Sequence, residues 1–382
     1  MKILYLEHPE PDGGTSQLYM GLCQVLGDDN VIDFPYKYCL HGKTERLQND
    51  DVKVFMKDNP SVFPGGGYSD PYEWMIPSKS PEHHYSDIKD MINRGDFDLI
   101  LMTPRQVSMY YLSRLLRECS SLPSVMMCDF EDYHDIRFDI STTFHPHIRV
   151  ITKASYLPNN LGVFQSSMKG MEKIYPLPLS SPLIDNPAFR FDDGDQHKNI
   201  DIHTRFGLTR GLRKDVIESL RTYDGFQGGL ALPERSTMQI ENGVHICGDG
   251  SRTVITSLDQ NVPYPQYLQE IAHAKISVSM GGHGLGRNPA RNWEIPSYNT
   301  LLLCEPQAIY YEHPFEDKKT CIFFNPEMKD DVCEKALHWL GKDMEYERKK
   351  VAKAGFEHLK TYHTCRARAE RLLEITKEEN LL

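Results

Sequence analysis

The stretch "AKISVSMGGHGLGRNPARNWE", residues 274–294, decides how the second half of the chain is read. Ile276, Val278 and Met280 form a short apolar run, and the glycines at 281, 282, 284 and 286 follow at once. Such a loop lets backbone approach a ligand closely. "ARNWE" then resumes in helical spacing, so the order is strand, glycine loop, helix, the unit from which parallel α/β sheets are built. Ligands of such sheets bind beyond the carboxyl ends of the strands. That makes Gly282, His283, Arg291 and Glu294 candidate binding residues. Arg291 and Glu294 lie three apart on one helical face, where a bare ion pair contributes only about 0.3 kcal/mol. That pair explains neither the glycines nor Trp293. A ligand with phosphates for the arginine and hydroxyls for the carboxylate explains both.

The same alternation runs outward in both directions. "KILYLE" (2–7) precedes a glycine turn and the helical spacing of Leu18, Leu22, Val25 and Leu26. "DFDLILMTP" (96–104), the helical "VSMYYLSRLLREC" (107–119) and "PSVMMCDF" (123–130) repeat the unit. Between them, from about 35 to 90, the pattern fails in a Pro-, Gly- and Ser-rich insertion. Four prolines in "YPLPLSSPLIDNPAF" (175–189) mark an interdomain linker and a hinge. A second series follows with "NIDIHT" (199–204), a helix near 212–222, "GVHICGDG" (243–250), "TLLLC" (300–304) and "CIFF" (321–324). The expected fold is α/β, with two doubly wound Rossmann-like domains facing across a cleft. The first domain spans 1–180, the second 190–360, and a C-terminal helix 361–382.

Bulk properties agree with this reading. A length of 382 residues suits two domains, and 40% hydrophobic with 25% charged residues suits two packed cores. The net charge of −11 argues against gripping nucleic acid with the whole surface. Nine cysteines without a C-x-x-C pair indicate neither a disulfide framework nor a zinc site. The sequence has no apolar run of membrane-spanning length, and "MKILYLEHPE" meets an acid too early for a signal peptide. A cytoplasmic protein is expected.

Three further loops follow strands. "HPEPDGGTS" brings Gly13 and Gly14 to the start of a helix whose unbonded N–H groups suit an anion. "CDFEDYHD" gathers Asp129, Glu131, Asp132 and His134, residue types fit for a general base. "TRFGLTRGLRK" places Arg205, Arg210, Arg213 and Lys214 near a helix start, where cations oppose the helix dipole unless an anion is bound. The acidic "DFD" (96–98) and "DDGD" (192–195) fall at a strand start and in the linker, and no metal site is assigned to them.

The segment "YPQYLQEIAHAKISVSMGGHGLGRNPARNWEIPSYNTLLLCEP" resembles the donor-binding part of GT-B glycosyltransferases, above all the CgeB-like spore-maturation group, and more loosely exostosin-type enzymes. The shared pattern is Tyr267, the strand "AKISVSM", the glycine loop, and R-x-x-E at Arg291 and Glu294. "GVHICGDG" and the tail "ERKKVAKAGFEHLKTYHTCRARAERLLEI" extend the likeness over residues 199–376. The resemblance implies transfer of a hexosyl or pentosyl group from a nucleotide sugar, with Glu294 on the ribose and basic loop residues on the diphosphate. It implies no metal and no cofactor beyond the co-substrate. Retaining members carry a second glutamate at the position of Gly286, so the stereochemical outcome stays open. The acceptor is open too, among glycan, lipid-linked glycan, protein, small molecule and a modified base in DNA. A non-catalytic protein binding a nucleotide or sugar is the competing reading. A nicotinamide oxidoreductase is disfavoured, because no G-x-G-x-x-G follows the first strand.

Overall fold

The computed structural model describes residues 1–8, 13–41, 77–130, 147–155, 157, 173–186, 198–231, 259, 262–281, 289–328 and 330–382, with short pieces between 240 and 254 and positions 51, 53 and 57. The chain divides into two units, Met1–Pro182 with Thr364–Leu382, and Leu183–His363.

Unit 1 is built from β1 (Ile3–Leu6), α1 (Gly13–Leu26), β2 (Val31–Phe34), α2 (Tyr85–Asn93), β3 (Leu99–Met102), α3 (Gln106–Glu118), β4 (Ser124–Asp129), β5 (Ile148–Lys153) and β6 (Lys173–Pro176). All pairings are parallel, in the order β2-β1-β3-β4-β5-β6. Parallel strands covered by helices on both faces become apolar throughout, and β3, "LILM", is buried at every position. Leu4, Ile100 and Val125 pack with Ile88 of α2 and Leu112 of α3 on one face. The expected insertion at 35–90 is described only in part, and α2 begins within it. His84 and Asp87 form a capping box that fixes where this helix starts.

Unit 2 contains β7 (Ile200–Gly207), α4 (Leu212–Leu220), β8 (Phe226–Ala231), the short strands β9 (Ile240–Glu241), β10 (Val244–Ile246) and β11 (Arg252–Val254), then α5 (Tyr264–His273), β12 (Ala274–Ser279), α6 (Arg291–Glu294), β13 (Leu301–Cys304), β14 (Ile322–Phe323), α7 (Asp331–Leu340) and α8 (Glu345–Tyr362). Its main sheet is parallel, in the order β14-β13-β12-β7-β8. Strands β9, β10 and β11 form a separate antiparallel sheet. Ile202, Ile276, Val278 and Leu303 form the centre of the core, closed by Val216 and Leu220 of α4 and Val332 and Ala336 of α7.

The last helix, α9 (Cys365–Glu378), belongs to unit 1 and not to the unit that precedes it. It lies against α1. A Cβ on Gly21 would overlap the Cys365 carbonyl oxygen and crowd Ala369, so only glycine permits this approach. The two-domain α/β architecture expected from the sequence is the one observed.

Candidate functional site

Strand order in unit 2 reverses between β7 and β12, because β8 lies on one side of β7 and β12, β13 and β14 on the other. Such a switch point opens a crevice beyond the carboxyl ends of the two strands. Arg205, Arg210 and Arg213 lie at or just beyond the end of β7, and the glycine loop leaves β12.

Arg213 stands in the first turn of α4 and is almost wholly buried. Its guanidinium donates to Gly207 O at 2.7 Å, Thr209 Oγ1 at 2.8 Å, Met280 O at 2.7 Å and Gly281 O at 3.2 Å. It therefore joins the end of β7 to the residues just past β12. Arg210 Nη1 meets Glu305 Oε2 at 2.8 Å, and the other oxygen of Glu305 accepts from Gly281 N–H. The conflict between these cations and the helix dipole is thus resolved by carbonyls and a carboxylate of the protein itself. Both arginines fasten the base of the glycine loop.

Arg205 makes a bidentate pair with Glu270 of α5 at 2.6 and 2.9 Å. His203 Nε2 lies 3.2 Å from the same carboxylate and its Nδ1 3.1 Å from Ser277 Oγ. Burial raises the Glu270 pKa, but the contacts from His203 and Arg205 outweigh it and hold the carboxyl well below its usual range. Burial depresses His203, which favours the neutral ring. With Ser277 and His203 buried, this Ser-His-Glu chain locks α5 onto the sheet and offers no nucleophile to solvent.

Glu294 and Arg291 occupy the short helix α6. Glu294 is 9% exposed, and each carboxylate oxygen accepts from a different tyrosine of α5, Tyr264 at 2.9 Å and Tyr267 at 2.8 Å. Burial pushes its carboxyl up, while the charge of Arg291 and the two tyrosine hydroxyls oppose that rise. The Arg291 guanidinium lies 5.2 Å from the centroid of Phe206, whose ring also carries Arg213 at 5.1 Å. Unlike those of the other three arginines, the Arg291 side chain makes no hydrogen bond among the described residues, and its Nε is buried without a partner. A buried donor left unsatisfied costs about 1–3 kcal/mol. Arg291 and Glu294 form no direct ion pair.

The remaining candidates lie in unit 1 or outside the described residues. Gly14 packs rather than opens, since a Cβ there would come within 2.7 Å of Phe130 and 2.8 Å of Leu179. Gly13 begins α1 and is exposed. Asp129 ends β4 in register with Lys153 of β5, and the two form a buried pair at 2.8 Å. Glu131, Asp132, His134, Gly282 and His283 lie outside the described residues. Among the described residues, no three His, Cys, Asp or Glu side chains converge as metal ligands, and no helix is long and apolar enough to cross a membrane.

Sequence reasoning passed over Tyr264, His203, Glu270, Glu305 and Lys153. One signal was available. Tyr264, Tyr267 and Glu270 recur every three residues, which places a polar stripe on one face of α5. Glu305 and Lys153 are found only through strand register.

Residues 232–374, the segment containing α5, the glycine loop and α6, match the family model described as "Glycosyl transferase-like". No curated protein matches the chain. Among solved structures, an α-glucosyltransferase in complex with UDP-glucose and DNA containing an abasic site is 10% identical with a TM-score of 0.57, covering 98% of each chain. Anabaena Alr3699/HepE in complex with UDP-glucose is 10% identical with a TM-score of 0.56, covering 99% of this chain and 100% of that one. Sucrose-phosphate synthase from Thermosynechococcus elongatus is 11% identical with a TM-score of 0.54, covering 99% of both. The chain thus has the two Rossmann-like domains found in GT-B glycosyltransferases, and over residues 232–374 it is similar to the glycosyl transferase-like family.

Proposed function

We propose that this protein is a glycosyltransferase of the CgeB-like kind that moves a hexosyl or pentosyl group from a nucleotide sugar to an acceptor. The observation that carries the reading is the pair on α6, beside the switch point. Arg291 presents a buried donor with no partner in the described protein, and Glu294 presents a carboxylate with lone pairs left over. Arg291 offsets the diphosphate charge that grows as the sugar C1–oxygen bond breaks, and Glu294 accepts from the ribose hydroxyls. Arg210, Arg213 and Glu305 hold Met280 and Gly281 just past β12, and the residues that follow, Gly282 and His283, are assigned to donor binding. Arg205 acts further back, through Glu270. The general base is assigned to Asp129, Asp132 or His134, and Gly13 and Gly14 at the start of α1 are assigned to donor binding. Protein cations suffice for the leaving group, so the reaction needs no metal. A nucleotide-sugar co-substrate suits a cytoplasmic enzyme.

Binding of UDP and UDP-glucose by structural neighbours makes UDP-glucose the first donor to try and UDP the first nucleotide. A thermal-shift panel of nucleotides and nucleotide sugars tests the site, because a ligand at 100 times its Kd stabilises the fold by about 2.7 kcal/mol. Hydrolysis of the bound donor, with and without candidate acceptors, then separates an enzyme from a silent binding protein. No stabilisation by any nucleotide sugar overturns the proposal. A base in DNA is the second acceptor class, favoured by the neighbouring α-glucosyltransferase bound to DNA. Label transfer from donor to hydroxymethylated DNA checks it.

A further inference from the structure

Glu294 does not sit loose in its site. Tyr264 and Tyr267 lie one helical turn apart on α5 with ring centroids 5.9 Å apart, and their hydroxyls reach separate oxygens of the same carboxylate. A carboxylate offers about four lone-pair positions. With one on each oxygen taken, one on each oxygen remains, and the plane of the group is set by two rigid rings. Neighbouring hydroxyls of a ribose are a matching pair of donors. We propose that Tyr264 and Tyr267 are positioning residues for the donor, holding the Glu294 carboxylate in the one orientation that accepts from both hydroxyls of a ribose diol. The proposal rests on the donor-site reading given above.

Tyrosine suits this task better than a cation. Buried beside a carboxylate, both hydroxyls are pushed well above their usual range, by burial first and by the charge of Glu294 second. They remain neutral donors at every working pH, and the carboxylate keeps its charge for the ligand. A lysine or arginine in their place would neutralise it. Among the described residues, the other groups facing this cluster are Arg291 of α6, Tyr298 in the turn after α6 and His203 of β7, whose ring is 5.9 Å from that of Tyr267. Only the ionised carboxylate can accept from the whole diol, so ribonucleotide affinity is lost as pH falls through the Glu294 pKa. Each tyrosine hydroxyl favours the ionised form, and removing one raises that pKa and moves the loss to higher pH.

The test compares wild type, Tyr264→Phe, Tyr267→Phe and Glu294→Gln by titration calorimetry. The probe is whichever of UDP, GDP, ADP and CMP binds wild type most tightly, alongside its 2′,3′-dideoxy counterpart. Each phenylalanine variant is expected to bind the ribonucleotide about fivefold more weakly, the value of one hydrogen bond. The dideoxy compound should bind all four proteins within twofold, and the acid limb of ribonucleotide binding should move up by roughly one pH unit in the phenylalanine variants. A purely structural role would weaken both nucleotides equally and leave the acid limb in place, which overturns the proposal. If Glu294→Gln weakens ribonucleotide binding and the phenylalanine variants do not, the tyrosine role alone fails. If Glu294→Gln has no effect, or no ribonucleotide binds wild type, the donor-site reading fails and takes this inference with it.

Discussion

Two side chains of α6, Arg291 at its first position and Glu294 at its last, separate a binding site from a mere helical turn. Glu294→Gln keeps the shape and one acceptor oxygen but loses the charge, and donor affinity is expected to fall between about tenfold and 150-fold. Folding should survive, because burial already raises the Glu294 pKa and a neutral side chain relieves that penalty. Arg291→Ala should slow turnover as well as binding, since charge on the leaving diphosphate is largest in the transition state. Isothermal titration and steady-state kinetics read the two effects separately. Affinity and turnover within twofold of wild type for both variants would leave α6 with no role in the donor site. Arg291 and Glu294 were legible because the glycines and the R-x-x-E spacing are local. That Arg210 and Arg213 turn inward was not, since Glu305 is 95 residues from Arg210 and the acceptors of Arg213 include carbonyls 67 and 68 residues away.

At the scale of elements, the sheet of unit 2 is tied to its loops by buried charge. Arg213→Met removes the donor to the Met280 and Gly281 carbonyls and leaves the Gly207 carbonyl with the Thr209 N–H alone. A loss of about 3 kcal/mol is expected in urea unfolding, together with weaker donor binding as the loop base loosens. Glu270→Gln unlinks α5 from β7, at about 2 kcal/mol near neutral pH. The folded Glu270 carboxyl lies below its ordinary value of 4.5, so its contribution is present above that value and lost as pH falls below it. The stability gap between wild type and variant should narrow on acidification below about pH 4.5. A gap independent of pH would show that Glu270 contributes packing and not charge. Strands with long apolar runs, such as β1, β3, β4 and β12, could be read from the sequence. β8, "FQGGLA", could not, because its glycines mimic a turn. In the structure a Cβ on Gly228 would overlap the Thr204 carbonyl of β7, and one on Gly229 would meet Asp259, so close packing selects those glycines. β2, "VIDF", and β5, "IRVITK", carry charges within short runs and show no clear period. Their place comes from neighbours in the sheet, to which Asp33 and Lys153 contribute buried polar bonds.

For the whole molecule, the notable feature is that unit 2 is inserted between α9 and the rest of unit 1. A parallel bridge between Ser181 and Thr364 marks where the chain leaves unit 1 and returns. Replacing Gly21 by valine forces α1 and α9 apart, and calorimetry should show unit 1 destabilised by about 2 kcal/mol or more with unit 2 unchanged. Equal shifts in both units would show that they unfold as one. The prolines at 175–189 announced a break and the sequence announced a final helix at 361–382, but nothing local says which core receives that helix. The nesting also bears on how the protein is made. A ribosome adds roughly 5–20 residues per second, so α9 follows the first part of unit 1 by about 10–40 s. Unit 2, contiguous in the chain, can close during synthesis, while unit 1, with its strands already made, waits with Gly21 of α1 not yet covered by α9. The unit begun first is completed last, and in that interval the bare flank of α1 is where a nascent-chain chaperone would bind.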